Sequence, residues 1–373
     1  LVNAHAIRTR LEAQGSIFQT NSDTEVLVHL IALSREQTLP DAIADSLQRV
    51  EGAFSLVMIS RDRIFAARDP RGFRPLAMGR IPATSSDKRD TVVFASETCA
   101  FDLLGATYER DVKPGELVIV GPEGISSRFY SPSPAQSSCI FEHVYFSRPD
   151  SFVFGRSVDQ SRDSMGRQLA REAPADCDIV VPVPDSGTPA AIGFAQAARL
   201  PFELGIIRNH YVGRTFIQPG DSIRHMGVKL KHNANRKMIE GKRVVLVDDS
   251  IVRGTTSQKI VQMVRDAGAR EVHMRIASPP TMSSCFYGVD TPEKSKLLAS
   301  RMSVEEMAGF IRVDSLGFLS IDGLYRAVGE AGRDNDAPQF CDACFTSQYP
   351  TRLLDHEGAD NVRTLSLLAL GGQ

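Results

Sequence analysis

The chain has no run of about 18 apolar residues, so nothing in it is built to cross a bilayer as a helix. Its first residues, LVNAHAIRTRLEAQGS, lack the apolar core segment of a signal peptide. An excess of one charge is missing too. Lys and Arg number 43 against 45 Asp and Glu, a formal net charge of -2, and this argues against both nucleic acid and an anionic membrane as partners. Cysteine is sparse. Six thiols without a secretion signal read as cytoplasmic thiols, some of them ligands, rather than a disulfide framework. No repeat and no low-complexity segment stands out, and no Met precedes Leu1.

What is present suits a globular protein: 42% hydrophobic and 24% charged residues over 373 positions, enough for two domains with sizeable cores. In the first third, Asp23 to Ser34 has helical spacing behind a Ser-Asp-Thr start. Ala53–Ser60, Asp62–Asp69, Thr91–Ser96 and Gly115–Val120 read as strands in close succession, which suggests antiparallel pairing. SPSPAQSS, Ser131 to Ser138, is the best linker candidate. Beyond it the rhythm changes. DIVVPVPDSG, KRVVLVDDS and EVHMRIASPP are buried strands separated by helical stretches, TPAAIGFAQAA and SQKIVQMVRDAGA. Strands alternating with helices predict an α/β domain with a parallel sheet covered on both faces.

The segment KRVVLVDDSIVRGTTS, Lys242 to Ser257, carries the most chemistry. In an open parallel sheet, ligands bind at the carboxyl ends of strands, and Asp248 and Asp249 fall at such an end. The Arg253-Gly254-Thr255-Thr256-Ser257 turn leads into a helix, whose free N–H groups suit a phosphate. No G-K-[ST] follows, so this is not a nucleoside triphosphate loop, and no G-x-G-x-x-G marks a dinucleotide fold. Carboxylates beside a phosphate cradle suit a ribose 5-phosphate, with its hydroxyls on the acids directly or through Mg²⁺. The plainer alternative is an Asp pair that only ends a strand and caps a helix.

The segment resembles the phosphoribosyl pyrophosphate (PRPP) signature of type I phosphoribosyltransferases, in the form found in the amidophosphoribosyltransferase family. PVPDSGTPAA, Pro182 to Ala191, is similar to that family's pyrophosphate loop. A helix N-cap is the alternative role for Asp185 and Ser186. Tyr211 to Lys237 resembles the family's lid. From Arg208 to Arg243 there are nine Lys and Arg against two acids, Asp221 and Glu240; this is either a cationic cover for pyrophosphate or a solvated basic face. The resemblance implies PRPP contacts at Asp185, Ser186, Gly187, Thr188, Lys231, Asp248, Asp249, Arg253, Gly254, Thr255, Thr256 and Ser257. It implies Mg²⁺ at Ser186, Asp248 and Asp249. The implied reaction joins PRPP and glutamine-derived ammonia into 5-phosphoribosylamine and pyrophosphate, the first committed step of purine synthesis.

Cys341 and Cys344 form a C-x-x-C, which alone reads as metal site, redox pair or coincidence. The resemblance places Cys139, Cys285, Cys341 and Cys344 at the ligand positions of members that carry a 4Fe–4S cluster. Spacing alone leaves zinc open. Cys99 and Cys177 match no ligand position and read as small core residues.

In front, QTNSDTE, ARDPRGFRPLAMG and the stretch from Phe94 to Leu117 resemble the family's N-terminal-nucleophile (αββα) glutaminase domain. Asp23 falls toward the α-amino group of glutamine, or else caps the following helix. The implied fold class is thus a type I phosphoribosyltransferase parallel-sheet domain, residues 131–373 with a C-terminal extension, preceded by a truncated glutamine amidotransferase type 2 domain, residues 1–130. The family's cysteine nucleophile is expected upstream of Leu1, so no catalytic residue is assigned in the front domain and glutamine hydrolysis by this chain is not expected. A homotetramer and inhibition by purine nucleotides are also implied. The alternatives are a PRPP-sensing regulator, which would need a DNA-binding module not apparent here, and a salvage base phosphoribosyltransferase, which needs neither a glutaminase domain nor a cysteine quartet.

Overall fold

Periodicity of two in the front third and buried apolar runs in the rest produce two differently built units. The structure, a computed structural model, describes residues 1–83, 90–132, 135–209 and 232–356.

In the front unit, β1 (Ser55–Ile59), β2 (Ile64–Arg68), β6 (Glu116–Gly121) and β7 (Gly124–Phe129) form an antiparallel sheet in the order β1-β2-β6-β7. A second antiparallel sheet orders β4 (Thr91–Ala95), β3 (Ala77–Ile81) and β5 (Thr107–Asp111) as β4-β3-β5. Alternation along β2 explains the layering. Ala66 joins Met78, Val118 and Phe94 between the sheets. Phe65 and Ala67 face the helices α1 (Ala4–Ala13), α2 (Thr24–Leu33) and α3 (Leu39–Leu47), where Leu11, Leu30, Ile43 and Leu47 close the core. Each such aliphatic side chain contributes about 1.5–3 kcal/mol on burial.

In the second unit, β11 (Ile179–Pro182), β14 (Arg243–Asp248), β15 (Glu271–Ile276) and β16 (Ser315–Phe318) are parallel in the order β11-β14-β15-β16. Val245 and Val247 face α5 (Val158–Glu172) and α6 (Thr188–Ala198), against Met165, Leu169 and Phe194. Val244 and Leu246 face the other side, against Ile260, Val264 and Met307. A strand buried on both faces has to be apolar along its inner positions, and Val244 to Val247 of RVVLVD are.

The two covering helices α5 and α6 touch backbone to backbone. A Cβ on Gly166 would lie 1.8 Å from Ala190 O, and one on Gly193 would lie 2.0 Å from Asp163 O. Gly166→Ala is therefore expected to destabilise the protein by about 3 kcal/mol or more, read as a lower midpoint in urea. An unchanged midpoint would mean the helices separate without loss.

One junction between the units lies at the start of β8 (Ser138–Cys139), beside the turn that follows β2. Cys139 N–H donates to Phe73 O at 2.9 Å and Ser137 N–H to Arg71 O at 2.8 Å. The linker candidate thus ends in β8, a two-residue strand held by the DPRGF turn. Asp69 folds that turn by accepting the N–H groups of Arg71 and Phe73, and burial pushes its carboxyl up to about 6.

Candidate functional site

Past Asp248 the chain leaves the sheet and enters the helix Thr255–Asp266. The helix starts two residues earlier than its apolar spacing suggests, so Thr255, Thr256 and Ser257 form its first turn. First-turn N–H groups have no intrahelical acceptor and carry the positive end of the helix dipole. Gly254 sets the turn with φ 74°; a Cβ there would lie 2.6 Å from Leu298 Cδ2.

Asp248 and Asp249 are both buried. Asp249 N–H donates to Asp248 Oδ1 at 3.0 Å, and Ser250 Oγ donates to Asp249 Oδ2 at 2.5 Å. Burial, then the neighbouring Asp249 charge, push the Asp248 carboxyl well above the usual carboxylate range. Two carboxyls that repel each other out of water suit a cation between them and a ligand. Arg162, a buried residue of α5, lies within electrostatic reach of Asp249. Its guanidinium donates to the carbonyls of His143 at 2.9 Å and Ser147 at 2.7 Å.

The neighbouring strand end is the loop Val183 to Thr188. Val183 N–H donates to Val247 O at 2.9 Å and Gly187 N–H to Val183 O at 3.0 Å. The Pro184–Asp185 peptide is cis. Neither Asp185 nor Ser186 caps α6: the cap residue is Gly187, without a side-chain bond. Asp185 instead pairs with Arg208, at the end of β12 (Ile206–Arg208). Lys231 and the lid up to His232 lie outside the described residues, so of the predicted PRPP contacts two groups are brought together: Asp185–Thr188 and Asp248–Ser257.

The cysteines gather elsewhere. Cys139 pairs in register with Cys341 where β8 runs parallel to β17 (Phe340–Cys341). Cys344 O accepts from the N–H groups of Met282 and Ser283, three and two residues before Cys285. Burial raises all four thiols, Cys139 to about 12, and each of Cys139, Cys341 and Cys344 is raised further by neighbouring cysteines. Thiolates are soft donors of the kind that hold iron or zinc. Among the described residues, no three His, Cys, Asp or Glu side chains stand in metal-holding geometry. Cys99 and Cys177 are both buried.

Asp23 does not cap α2 with its side chain; it accepts from the backbone nitrogen of Leu1 at 2.5 Å. Glu25 organises QTNSDTE. It accepts from Gln19 N–H at 2.7 Å, Thr20 Oγ1 at 2.6 Å and Thr20 N–H at 2.8 Å, which hold its carboxyl down to about 2.

Three groups escaped the sequence reading. Glu97 binds the second unit by accepting from Arg148 N–H at 2.7 Å and Ser151 Oγ at 2.8 Å. Asp355 accepts from His5 and Ala6 N–H, capping α1 from the far end of the chain. His143 is fully buried with no partner at either ring nitrogen among the described residues, and burial, then Arg156 and Arg162, lower it to about 4. Only the Asp-Asp and Gly-Thr-Thr patterns announce themselves in sequence; a lone buried Glu or His does not.

A glutamine amidotransferase domain family matches residues 1–102, and a phosphoribosyl transferase domain family matches residues 163–277. An amidophosphoribosyltransferase of Rhizobium etli is 54% identical over 376 residues, covering 99% of this chain and 74% of that protein. A chloroplastic amidophosphoribosyltransferase of Arabidopsis thaliana is 54% identical over 94% of this chain, which spans 61% of that relative's length. Among solved structures, a glutamine PRPP amidotransferase of Bacillus subtilis complexed with ADP and GMP superposes with a TM-score of 0.87 at 49% identity, covering 95% of this chain and 76% of that one. No helix among the described residues is long and apolar enough to cross a membrane. With both domain matches in order, and more than half its residues shared with the Rhizobium enzyme, the chain belongs to the amidophosphoribosyltransferase family of pentosyltransferases.

Proposed function

We propose that the chain transfers the phosphoribosyl group of PRPP to ammonia, which comes from glutamine or from solution. The observation that carries this is the pairing of two strand ends. The Val183–Thr188 loop is bonded onto β14 through Val183 N–H and Val247 O where Asp248 and Asp249 emerge, so the segments read as facing pyrophosphate and ribose phosphate share one edge.

Arg253 to Ser257 cradle the 5′-phosphate with first-turn N–H groups and hydroxyls. Asp248 and Asp249 take the ribose hydroxyls. Ser186 to Thr188 and Lys231 face the pyrophosphate. Mg²⁺ would be held by Asp248, Asp249 and Ser186, and supplies charge to neutralise the leaving group. The C1–oxygen bond breaks with its electron pair going to pyrophosphate. The ammonia lone pair forms the new C1–N bond from the opposite face, and the nitrogen's surplus proton passes to pyrophosphate. The protein's share is positioning and electrostatics. Asp23 receives the α-ammonium of glutamine in the front unit. Residues 1–130 and 131–373 are the two working domains, purine nucleotides inhibit as end products, and the assembly is a homotetramer. A cytoplasmic setting keeps the thiols reduced.

Incubation with PRPP, Mg²⁺ and ammonium chloride is expected to release pyrophosphate. Adenine or guanine in place of ammonia should release none. Release with the bases would make the chain a salvage enzyme, and no release under any condition would leave a PRPP-binding regulator.

Cys139, Cys285, Cys341 and Cys344 hold a 4Fe–4S cluster that ties the linker to the C-terminal segment. Protein purified without oxygen should be brown and contain about four irons per chain. A colourless, zinc-containing preparation would overturn this.

A further inference from the structure

Arg208, the last residue of β12, stands in register with His232 of β13 (His232–Ala234), where the two strands run antiparallel. From this ladder its guanidinium reaches the loop after β11 and pairs with the Asp185 carboxylate. The pair leaves part of the guanidinium unused. Nε–H is buried and has no hydrogen-bond partner among the described residues, and an arginine fork suits more than one oxygen at a time. Asp185, for its part, does not shape its own loop with its carboxylate. Its side chain does not cap α6. The bonds that fold the loop run between backbone groups: Val183 N–H to Val247 O, Gly187 N–H to Val183 O, and Thr188 N–H to the Asp185 carbonyl at 3.2 Å.

A carboxylate is out of place here. The loop leads into α6, whose amino end favours an anion, and on the phosphoribosyl transfer reading above that anion is pyrophosphate. A negative side chain at this point repels the ligand, and Asp185 also takes up a neighbouring cation. Both side chains of the pair are partly exposed, which makes the contact weak. A pyrophosphate, with several charged oxygens, is the better complement to an arginine fork. We propose that Arg208 is a further pyrophosphate-binding residue and that Asp185 is its internal competitor, so that PRPP gains the guanidinium only by displacing the carboxylate. This rests on the phosphoribosyl transfer reading. The plainer role for Asp185 is a place near the positive end of the helix dipole, in which Arg208 has no part.

The test is steady-state kinetics with ammonium chloride, Mg²⁺ and varied PRPP, with inorganic pyrophosphate as a competing probe. The parent chain comes first: if it transfers nothing to ammonia, the reading itself fails and this inference falls with it. With an active parent, Asp185→Asn is expected to lower both the KM for PRPP and the inhibition constant of pyrophosphate roughly 2- to 5-fold, the size of a partly exposed ion pair. Arg208→Gln should raise both by roughly 10-fold or more, the size of a lost charge-assisted hydrogen bond. Arg208→Lys keeps the charge without the fork and should lie between Arg208→Gln and the parent. The double variant separates competition from plain repulsion. Competition makes the gain from Asp185→Asn larger in the parent than in the Arg208→Gln background; an equal or larger gain in that background would overturn the proposal. A raised KM for PRPP in Asp185→Asn would make the carboxylate a direct contact of the ligand and overturn it too. So would unchanged constants in Asp185→Asn, which leave the carboxylate to the helix dipole, or in Arg208→Gln, which remove the guanidinium from the site.

Discussion

Asp248→Asn is expected to unfold at a higher temperature than the parent chain while losing PRPP turnover by a factor on the order of 10²–10³, the size of removing one preorganised charge from a reacting centre. The two effects share a cause. Asp248 is 8% exposed, next to Asp249, with its Oδ1 engaged by the Asp249 N–H. An amide oxygen keeps that bond and removes a buried charge that nothing among the described residues neutralises directly. Burying an unpaired charge is expensive, so its removal should stabilise the fold, as relief of a functional strain often does.

The pH dependence gives the sign. Burial and Asp249 raise the Asp248 carboxyl in the folded state above its unfolded value. The folded protein therefore binds the proton more tightly, and this contribution is fully present below the unfolded pKa of about 3.9. It is lost as pH rises from there through the raised folded value. The variant lacks the group, so its advantage in melting temperature should be near zero in acid, grow through that window and then level off. Adding Mg²⁺ with PRPP should reverse it, because only the parent binds them well. Full turnover in Asp248→Asn would remove Asp248 from the ribose and cation side of the site. A melting difference that ignores pH would remove the buried charge as its cause.

The centre of the second unit was legible because its strands carry their own signal. RVVLVD is apolar at every inner position since both faces are covered, and Asp-Asp at its end has no packing use. Polar strands are another matter. β5, TYERD, and β7, GISSRF, are mostly exposed and exist because β3 and β6 present ladders to them; their own alternation says nothing. α1 has only Ile7 and Leu11 buried and no side-chain cap of its own. Its cap, Asp355, lies 350 residues away from His5, a distance that local pattern cannot bridge. Arg162 reads as one more charge on a helix, although it is buried between the 143–147 carbonyls and the Asp249 field. Tertiary context decides such residues, while strand-end chemistry is written locally.

The strand-end pairing itself can be broken by a single methyl group. A Cβ on Gly187 would lie 2.4 Å from Val247 O, 2.9 Å from Val183 O and 3.1 Å from Asp248 Cα. All three are backbone atoms, so no side-chain rotation makes room. The loop has to move off β14, and with it goes the bond from Val183 N–H to Val247 O. Gly187→Ala is expected to cost about 2–4 kcal/mol of stability. Turnover should fall by more than about 10²-fold, because a displacement near 1 Å at a positioning loop has that effect. Gly254→Ala is the comparison. Its Cβ would meet Leu298 Cδ2 at 2.6 Å, the movable end of a side chain, and the φ of 74° adds roughly 1 kcal/mol of strain. Loss should therefore be larger at Gly187 than at Gly254, in both urea unfolding and the KM for PRPP. The reverse order would mean the pyrophosphate side tolerates displacement and the 5′-phosphate turn does not. Recognition would then rest on the helix Thr255–Asp266 alone, with the contact between β11 and β14 serving only the core.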